Sequence, residues 1–308
     1  MANITAKDVA ALRAKTGLGM MDCKKALVEA DGDMDKAVQI LREKGLATAA
    51  KKESRIAAEG IVDILVKGNV AAIVEVNTET DFVAKNESFK TFVKELLETI
   101  IDKKPATLEA LMATAFAGTS ATVEAALVEK IAVIGEKISI RRFELVEGTL
   151  STYIHGAGTT GVIVKFTTDV DATTPAFAEF AKNIALQLAA GNPPQYVNIE
   201  DVPQSAIDEE KAVLVAQAKN DPKNANKPEA ILEKMVSGRL GKFYERVCLV
   251  EQAYVKDDDL TVGKYVAATA KELGGNIKID AFVLFEKGEG IAKREENFAE
   301  EIAKLAGK

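Results

Sequence analysis

The sequence predicts an α+β protein, and three patterns predict it. Apolar residues recur at helical spacing up to Gly45, then switch near position 61 to alternation rich in β-branched residues. The order strand–strand–helix–strand is then met twice along the chain, the mark of an internal duplication of pattern rather than of residue identity. A charged stretch broken by Asp221-Pro222 and Lys227-Pro228 reads as two helices joined by a turn. The expected organisation is an N-terminal three-helix domain and linker over residues 1–55, a first core subdomain over 56–148, a second over 149–199 and 246–287, an antiparallel helical hairpin inserted over 200–245, and a C-terminal helical module over 288–308. Both core sheets are expected to be antiparallel, the first two strands of each being joined by a short turn or loop.

Each element has a local reason. Thr5 is an N-cap with Asp8 at capping-box spacing, and Val9 and Leu12 share a face. Gly17 and Gly19 end that helix; Met20, Cys23, Leu27 and Ala30 mark a second, which Gly32 stops. Asp33 caps a third carrying Ala37, Val38 and Leu41, and Gly45 closes the set. So few residues bury little area and are marginal alone. The module resembles small partner-binding three-helix domains such as ubiquitin-associated domains. Residues 46–57, rich in alanine with Lys51, Lys52 and Arg55, read as a linker that can itself be helical.

Strands are expected at 61–66 and 70–76 around the turn Lys67-Gly68-Asn69. A helix follows with Phe89, Phe92, Val93, Leu96 and Ile100 aligned, then one over 121–134 and a strand over 138–146. The second round has strands at 150–154 and 161–166 and a helix with Phe177, Phe180, Ile184 and Leu188 on one face. Later strands are expected at 243–250 and 279–285. Ile207, Val213, Leu214 and Ala218 fit one hairpin helix, and Ile231, Met235 and Leu240 the other. Such a hairpin either mediates a homodimer or extends a contact surface. Ile291, Phe298, Ile302 and Leu305 recur as a C-terminal amphipathic helix.

Composition narrows function. With 308 residues, 47% hydrophobic and 28% charged, the chain is long enough for more than one core. A net charge of -7, with no basic stripe carrying interleaved aromatics, argues against direct nucleic-acid binding. Cys23 and Cys248 stand alone and His155 is the one histidine, so multi-histidine and thiolate metal sites are excluded and reduced thiols are the simpler reading. No signal sequence or membrane-length apolar run is seen, so a cytoplasmic protein is expected.

Candidate sites are few. Gly156-Ala157-Gly158-Thr159-Thr160-Gly161 matches GxGxxG, but a strand rather than a helix follows, so it reads as a hairpin loop and not a dinucleotide site. No cofactor is expected, and no paired carboxylates or triad support an enzyme. Thr80 can cap the next helix with Asp81 in its first turn. Phe82, just inside that helix, is either core or an exposed aromatic anchor. Met20 and Met21 lie about 100° apart on a helix, so both cannot face one small core.

The residues from Thr16 to Leu27 (TGLGMMDCKKAL) and from Glu79 to Lys85 (ETDFVAK) closely resemble two signatures of the elongation factor Ts family. His155-Gly156, Gly238-Arg239, Phe285-Glu286 and Gly288-Glu289-Gly290 fall where that family has similar residues, so the resemblance spans essentially the whole chain. It implies the domain set given above, elongation factor Tu as partner, and guanine nucleotide exchange by binding rather than by catalysis. It implies that Thr80, Asp81, Phe82 and Val83 disturb the partner's Mg²⁺ site, with Phe82 as a wedge. Arg13, Met20 and Met21 match residues that touch the partner's nucleotide domain, Ile134-Gly135 a core segment near the same contact, and His155 a family histidine. The loop after His155 and residues 105–122 depart from the family pattern. A plain protein-binding adaptor is the alternative function.

Overall fold

The computed structural model describes residues 4–220 and 229–292. Contacts divide them into two compact units, one of residues 4–65, 72–144 and 286–292, the other of residues 66–71 and 145–285.

The first unit runs α1 (Ala6–Thr16), α2 (Met20–Glu29), α3 (Met34–Lys52), β1 (Glu59–Lys67), β2 (Val70–Thr78), α4 (Asp81–Lys85), α5 (Glu87–Lys103), α6 (Leu108–Ala113), α7 (Val123–Ile134) and β3 (Ile138–Glu147). The Thr5–Asp8 capping box opens α1, and Gly17 ends it in the left-handed region at φ 69°. Asp33 caps α3 by accepting the Asp35 and Lys36 N–H groups, each at 3.0 Å. The three helices close over Val9, Leu12, Cys23, Ala26, Leu27, Ala37 and Leu41.

One expectation here is corrected. Gly45 does not end α3, which continues to Lys52. Gly45 is buried in the helix, where an added Cβ would meet Val128 and Ala132 of α7 at 3.6 Å. The missing side chain lets the two helices approach; here glycine is a packing residue, not a stop. The first half of the expected linker is thus helical.

The sheet order is β1-β2-β3. As the central strand, β2 is buried at every position after Val70. Phe89, Phe92, Val93, Leu96 and Ile100 of α5 are all buried as their spacing requires. No element was expected between Pro105 and residue 121, but this stretch contains α6, capped where Thr107 Oγ1 accepts the Ala110 N–H at 3.1 Å and anchored by buried Leu111.

The second unit runs β4 (Thr149–His155), β5 (Thr160–Thr168), α8 (Pro175–Ala190), α9 (Gln204–Asn220), α10 (Glu229–Val247), β6 (Ala253–Tyr254), β7 (Asp257–Thr261), α11 (Val262–Glu272) and β8 (Ile277–Glu286). Its sheet order is β4-β5-β8, the same topology as β1-β2-β3. β4 and β5 pair antiparallel, with Thr149 opposite Phe166 and His155 opposite Thr160. α8 lies on this hairpin, burying Phe177, Phe180, Ile184 and Leu188 with Val162, Val164 and Phe166.

α9 and α10 pack together around Leu214, Val236, Leu240 and Phe243. The turn that would join them lies outside the described residues. A second correction falls at 243–250, expected as a strand. α10 continues to Val247, because Val236, Leu240, Phe243 and Val247 bury one face at three- and four-residue intervals, and a 3-10 turn follows at Leu249–Glu251. The β6–β7 hairpin and α11 were not anticipated. Most of the expected C-terminal helix, including Phe298, Ile302 and Leu305, lies outside the described residues.

Candidate partner-binding site

The chain leaves β2 through a corner whose polar groups are nearly all engaged. Thr80 is extended, and its Oγ1 accepts the Val83 N–H at 3.4 Å to cap α4. Thr78 Oγ1 donates to the Thr80 carbonyl at 2.9 Å. In the first turn of α4, Asp81 accepts from Lys85 Nζ at 2.6 Å, and this contact holds the Asp81 carboxyl below its ordinary pKa.

Two carboxylates fasten the corner to the α7–β3 turn in reciprocal fashion. Glu136 accepts both the Thr80 N–H, at 3.0 Å, and the Thr80 hydroxyl, at 2.7 Å. Glu79 accepts the Lys137 N–H at 2.6 Å and, with both oxygens, Arg55 Nη1 at 3.2 Å. The bonds at 2.6 and 2.7 Å, each accepted by a carboxylate, are of the stronger, charge-assisted kind. On the corner so fixed, Phe82 is 81% exposed, while Val83 is half-buried and Ala84 buried. Of the two readings of Phe82, the exposed aromatic is the one observed.

Of the other candidates in the first unit, Ile134 and Gly135 lead into the same turn, and the loop between Arg13 and Met20 touches α7 through Gly17. α7 ends at Gly135, left-handed at φ 84°, exposed, and accepting from Lys52 Nζ through its carbonyl; Ile134 beside it is half-buried. Gly17 lies against Val133, whose Cγ2 would be 3.6 Å from an added Cβ. Beyond Gly17, Met20 is 53% and Met21 61% exposed, so both face outward where at least one was expected to. Arg13 is exposed in the last turn of α1, its carbonyl accepting the Gly17 N–H at 2.8 Å.

His155 belongs to the second unit. It is exposed at the end of β4, with Nδ1 3.2 Å from the Tyr153 hydroxyl. The GxGxxG stretch is the β4–β5 hairpin loop: Gly156, Ala157 and Gly158 all have positive φ, and the Gly158 and Thr159 N–H groups return to the His155 carbonyl. They are therefore spent within the loop rather than aimed at a phosphate.

Sequence reasoning gave Arg55, Glu79, Glu136 and Lys137 no part in the site, although their hydrogen bonds span the corner. Glu136 is 56 residues from Thr80 in the chain, and its only local signal is its place after a helix-ending glycine. It also missed buried Glu75 on β2, whose carboxylate takes Arg141 Nη1 at 2.9 Å, Arg142 Nε at 2.7 Å, Asn77 Nδ2 at 3.1 Å and the Gly288 N–H at 2.8 Å. Burial pushes the Glu75 carboxyl up, but the bonds from Gly288, Arg141, Asn77 and Arg142 outweigh it and hold it below its ordinary pKa.

Among the described residues no three His, Cys, Asp or Glu side chains are grouped to hold a metal ion, and no helix is long and apolar enough to cross a membrane. Exposed apolar side chains on hydrogen-bonded turns have the form of anchors for a macromolecular surface, and here they stand on an α+β fold. The chain belongs to the elongation factor Ts family, a family of translation elongation factors: the family model described as Elongation factor TS matches residues 79–289. Elongation factor Ts of Clostridium perfringens (strain 13 / Type A) is 49% identical over 310 residues, covering 99% of this chain and 100% of its own. Elongation factor Ts of Syntrophotalea carbinolica is 46% identical over 305 residues, covering 98% of this chain and 99% of its own.

Proposed function

We propose that this protein is the guanine nucleotide exchange factor of elongation factor Tu, acting by binding alone and without cofactor in the cytoplasm. Family membership supports the partner and the exchange role. Phe82, 81% exposed on a corner fixed by two carboxylates, is the observation that carries the mechanism.

In this reading Phe82 enters a pocket of the partner's nucleotide domain, with Thr80, Asp81 and Val83 around it. Arg13, Met20, Met21, Ile134 and Gly135 supply further contact to that domain, and His155 a separate one. Mg²⁺ requires near-octahedral oxygen geometry and bridges the phosphates of the bound nucleotide. A wedge that displaces its surroundings by a small amount weakens GDP. Exchange then follows from linkage: a factor that binds the empty partner better than the GDP-loaded one lowers GDP affinity by the same ratio, and GTP reverses the process by mass action. The division into three-helix domain, two core subdomains, hairpin and C-terminal module serves this by spreading contact over several surfaces.

Release of a fluorescent GDP analogue from purified elongation factor Tu tests the proposal. The wild type accelerates release strongly, and Phe82→Ala lowers that acceleration by roughly tenfold or more. Equal acceleration by both proteins keeps exchange but removes Phe82 from its centre. Binding without acceleration by either leaves a plain adaptor.

A further inference from the structure

We propose that Glu136 is a positioning residue for nucleotide exchange, holding the Phe82 corner in its working geometry; this rests on the exchange reading above. The second unit supplies an internal control. Counted from the strand ends, Glu79 after β2 corresponds to Asp169 after β5, and Lys137 before β3 to Asn276 before β8. In both units the acid after the middle strand accepts the N–H of the residue before the last strand: Glu79 from Lys137, and Asp169 from Asn276. The preceding glycines correspond too, Gly135 at φ 84° and Gly274 at φ 75°. This shared clamp belongs to the fold.

The position of Glu136 is where the units part. Its counterpart is Gly275, where an added Cβ would lie 2.4 Å from Asp169 Oδ1 and 2.7 Å from Val170 Cγ2, so a side chain there would have to displace Asp169 and Val170. There the second corner is finished locally, Thr168 Oγ1 accepting the Val170 N–H at 3.0 Å. In the first unit Glu136 instead takes both the N–H and the hydroxyl of Thr80. The extra carboxylate thus occurs at the corner that presents Phe82, two residues beyond Thr80. Its neighbour Gly135 accepts from Lys52 of α3, and Val133, in the last turn of α7 before it, meets Gly17 of the α1–α2 loop. Glu136 does not itself need to reach the partner: by fixing Thr80 it fixes the direction in which Phe82 leaves the surface, and misplacing a working group by about 1 Å can lower a rate by orders of magnitude.

The test measures GDP-analogue release from elongation factor Tu over a range of exchange-factor concentrations, separating maximal rate from half-saturating concentration. Proteins compared are the wild type, Glu136→Gln, Glu136→Ala, Thr80→Val and, as the corner control, Asp169→Ala, each with its melting temperature. Glu136→Ala lowers the maximal rate roughly tenfold and shifts the half-saturating concentration less than about threefold. Glu136→Gln, whose carbonyl still accepts one Thr80 hydrogen, recovers part of the loss, and Thr80→Val loses rate in the same sense. Asp169→Ala lowers the melting temperature without moving the maximal rate. A wild-type maximal rate in folded Glu136→Ala overturns the inference, as does an equal rate loss in Asp169→Ala at equal destabilisation. If Glu136→Ala does not fold, Glu136→Gln and Thr80→Val decide, and wild-type rates in both overturn it. A wild type that fails to accelerate release removes the exchange reading, and this inference falls with it.

Discussion

The middle strands of the two sheets, β2 and β5, have the same length and the same neighbours in topology, but opposite charge at corresponding places. Counted back from their last residues, Thr78 and Thr168, Glu75 of β2 corresponds to Lys165 of β5. Glu75 is fully buried under two arginines, with Asn77 and the Gly288 N–H completing its bonds, while Lys165 is half-buried. The corners that follow diverge as well. After β5, Val170 and Ala172 turn inward and pack against the core; after β2, Phe82, the counterpart of Ala172, turns out. One topology therefore accommodates an ionic tie and an outward aromatic in one copy and an ordinary apolar corner in the other. The shared parts carry the fold, and the unshared parts are where function is to be sought.

The two units should differ most at their sheet centres. Glu75→Ala removes the anion that Arg141 and Arg142 share, although Arg142 keeps Glu289 at 2.9 Å, and should cost about 3 kcal/mol, the range for breaking a largely buried pair, whereas Lys165→Ala should stay within about 1 kcal/mol. Urea unfolding of both variants checks this; comparable losses would mean the two strands do similar structural work. Acidity offers a second probe of the same tie. The folded Glu75 carboxyl lies below its ordinary value of 4.5, so its contribution to stability is complete above that pH and is lost as pH falls through the lower folded value. The stability gap between wild type and Glu75→Gln should accordingly narrow below the ordinary carboxylate range, read by denaturant titration at stepped pH. A gap independent of pH would show that Glu75 does not act through its charge.

At the corners the effects shrink. Asp169 is exposed, and its carboxyl is held below the ordinary value by the N–H of Asn276 and then by the Asn276 side chain. Asp169→Ala should lower the melting temperature by less than Glu75→Ala does, because solvent can take over the freed Asn276 donors. A loss as large as that of Glu75→Ala would make the exposed clamp as important as the buried one.

Local chemistry made much of this legible in advance. Thr5, Asp33 and Thr80 behave as caps, because a cap depends on residues two or three positions away. Helix faces such as Phe177, Phe180, Ile184 and Leu188 were readable from spacing for the same reason. Gly45 was misread because its role depends on Val128 and Ala132, more than eighty positions on. Residues 243–250 were misread because Phe243, Tyr244 and Val247 suit either periodicity in so short a window, and only the packing of α10 on α9 selects helix. Glu136 was invisible altogether: a lone glutamate after a helix end is unremarkable until Thr80 is folded against it. Phe82 was ambiguous because apolarity states what a ring prefers, not whether its helix turns it toward a core.

The smallest expected effect is on stability at Phe82, and its smallness is informative. A ring 81% exposed has little apolar area to lose, so Phe82→Ala should unfold within about 0.5 kcal/mol of the wild type. Phe177→Ala in α8, removing a ring packed against Phe166 and Phe180, should cost about 3–5 kcal/mol in the same urea titration. A near-neutral Phe82→Ala that nevertheless loses exchange would place the ring's interactions in the complex rather than in the free protein. A cost above about 1 kcal/mol would instead mean that the ring packs on its own chain in solution, and any loss of exchange would then have to be separated from damage to the corner itself.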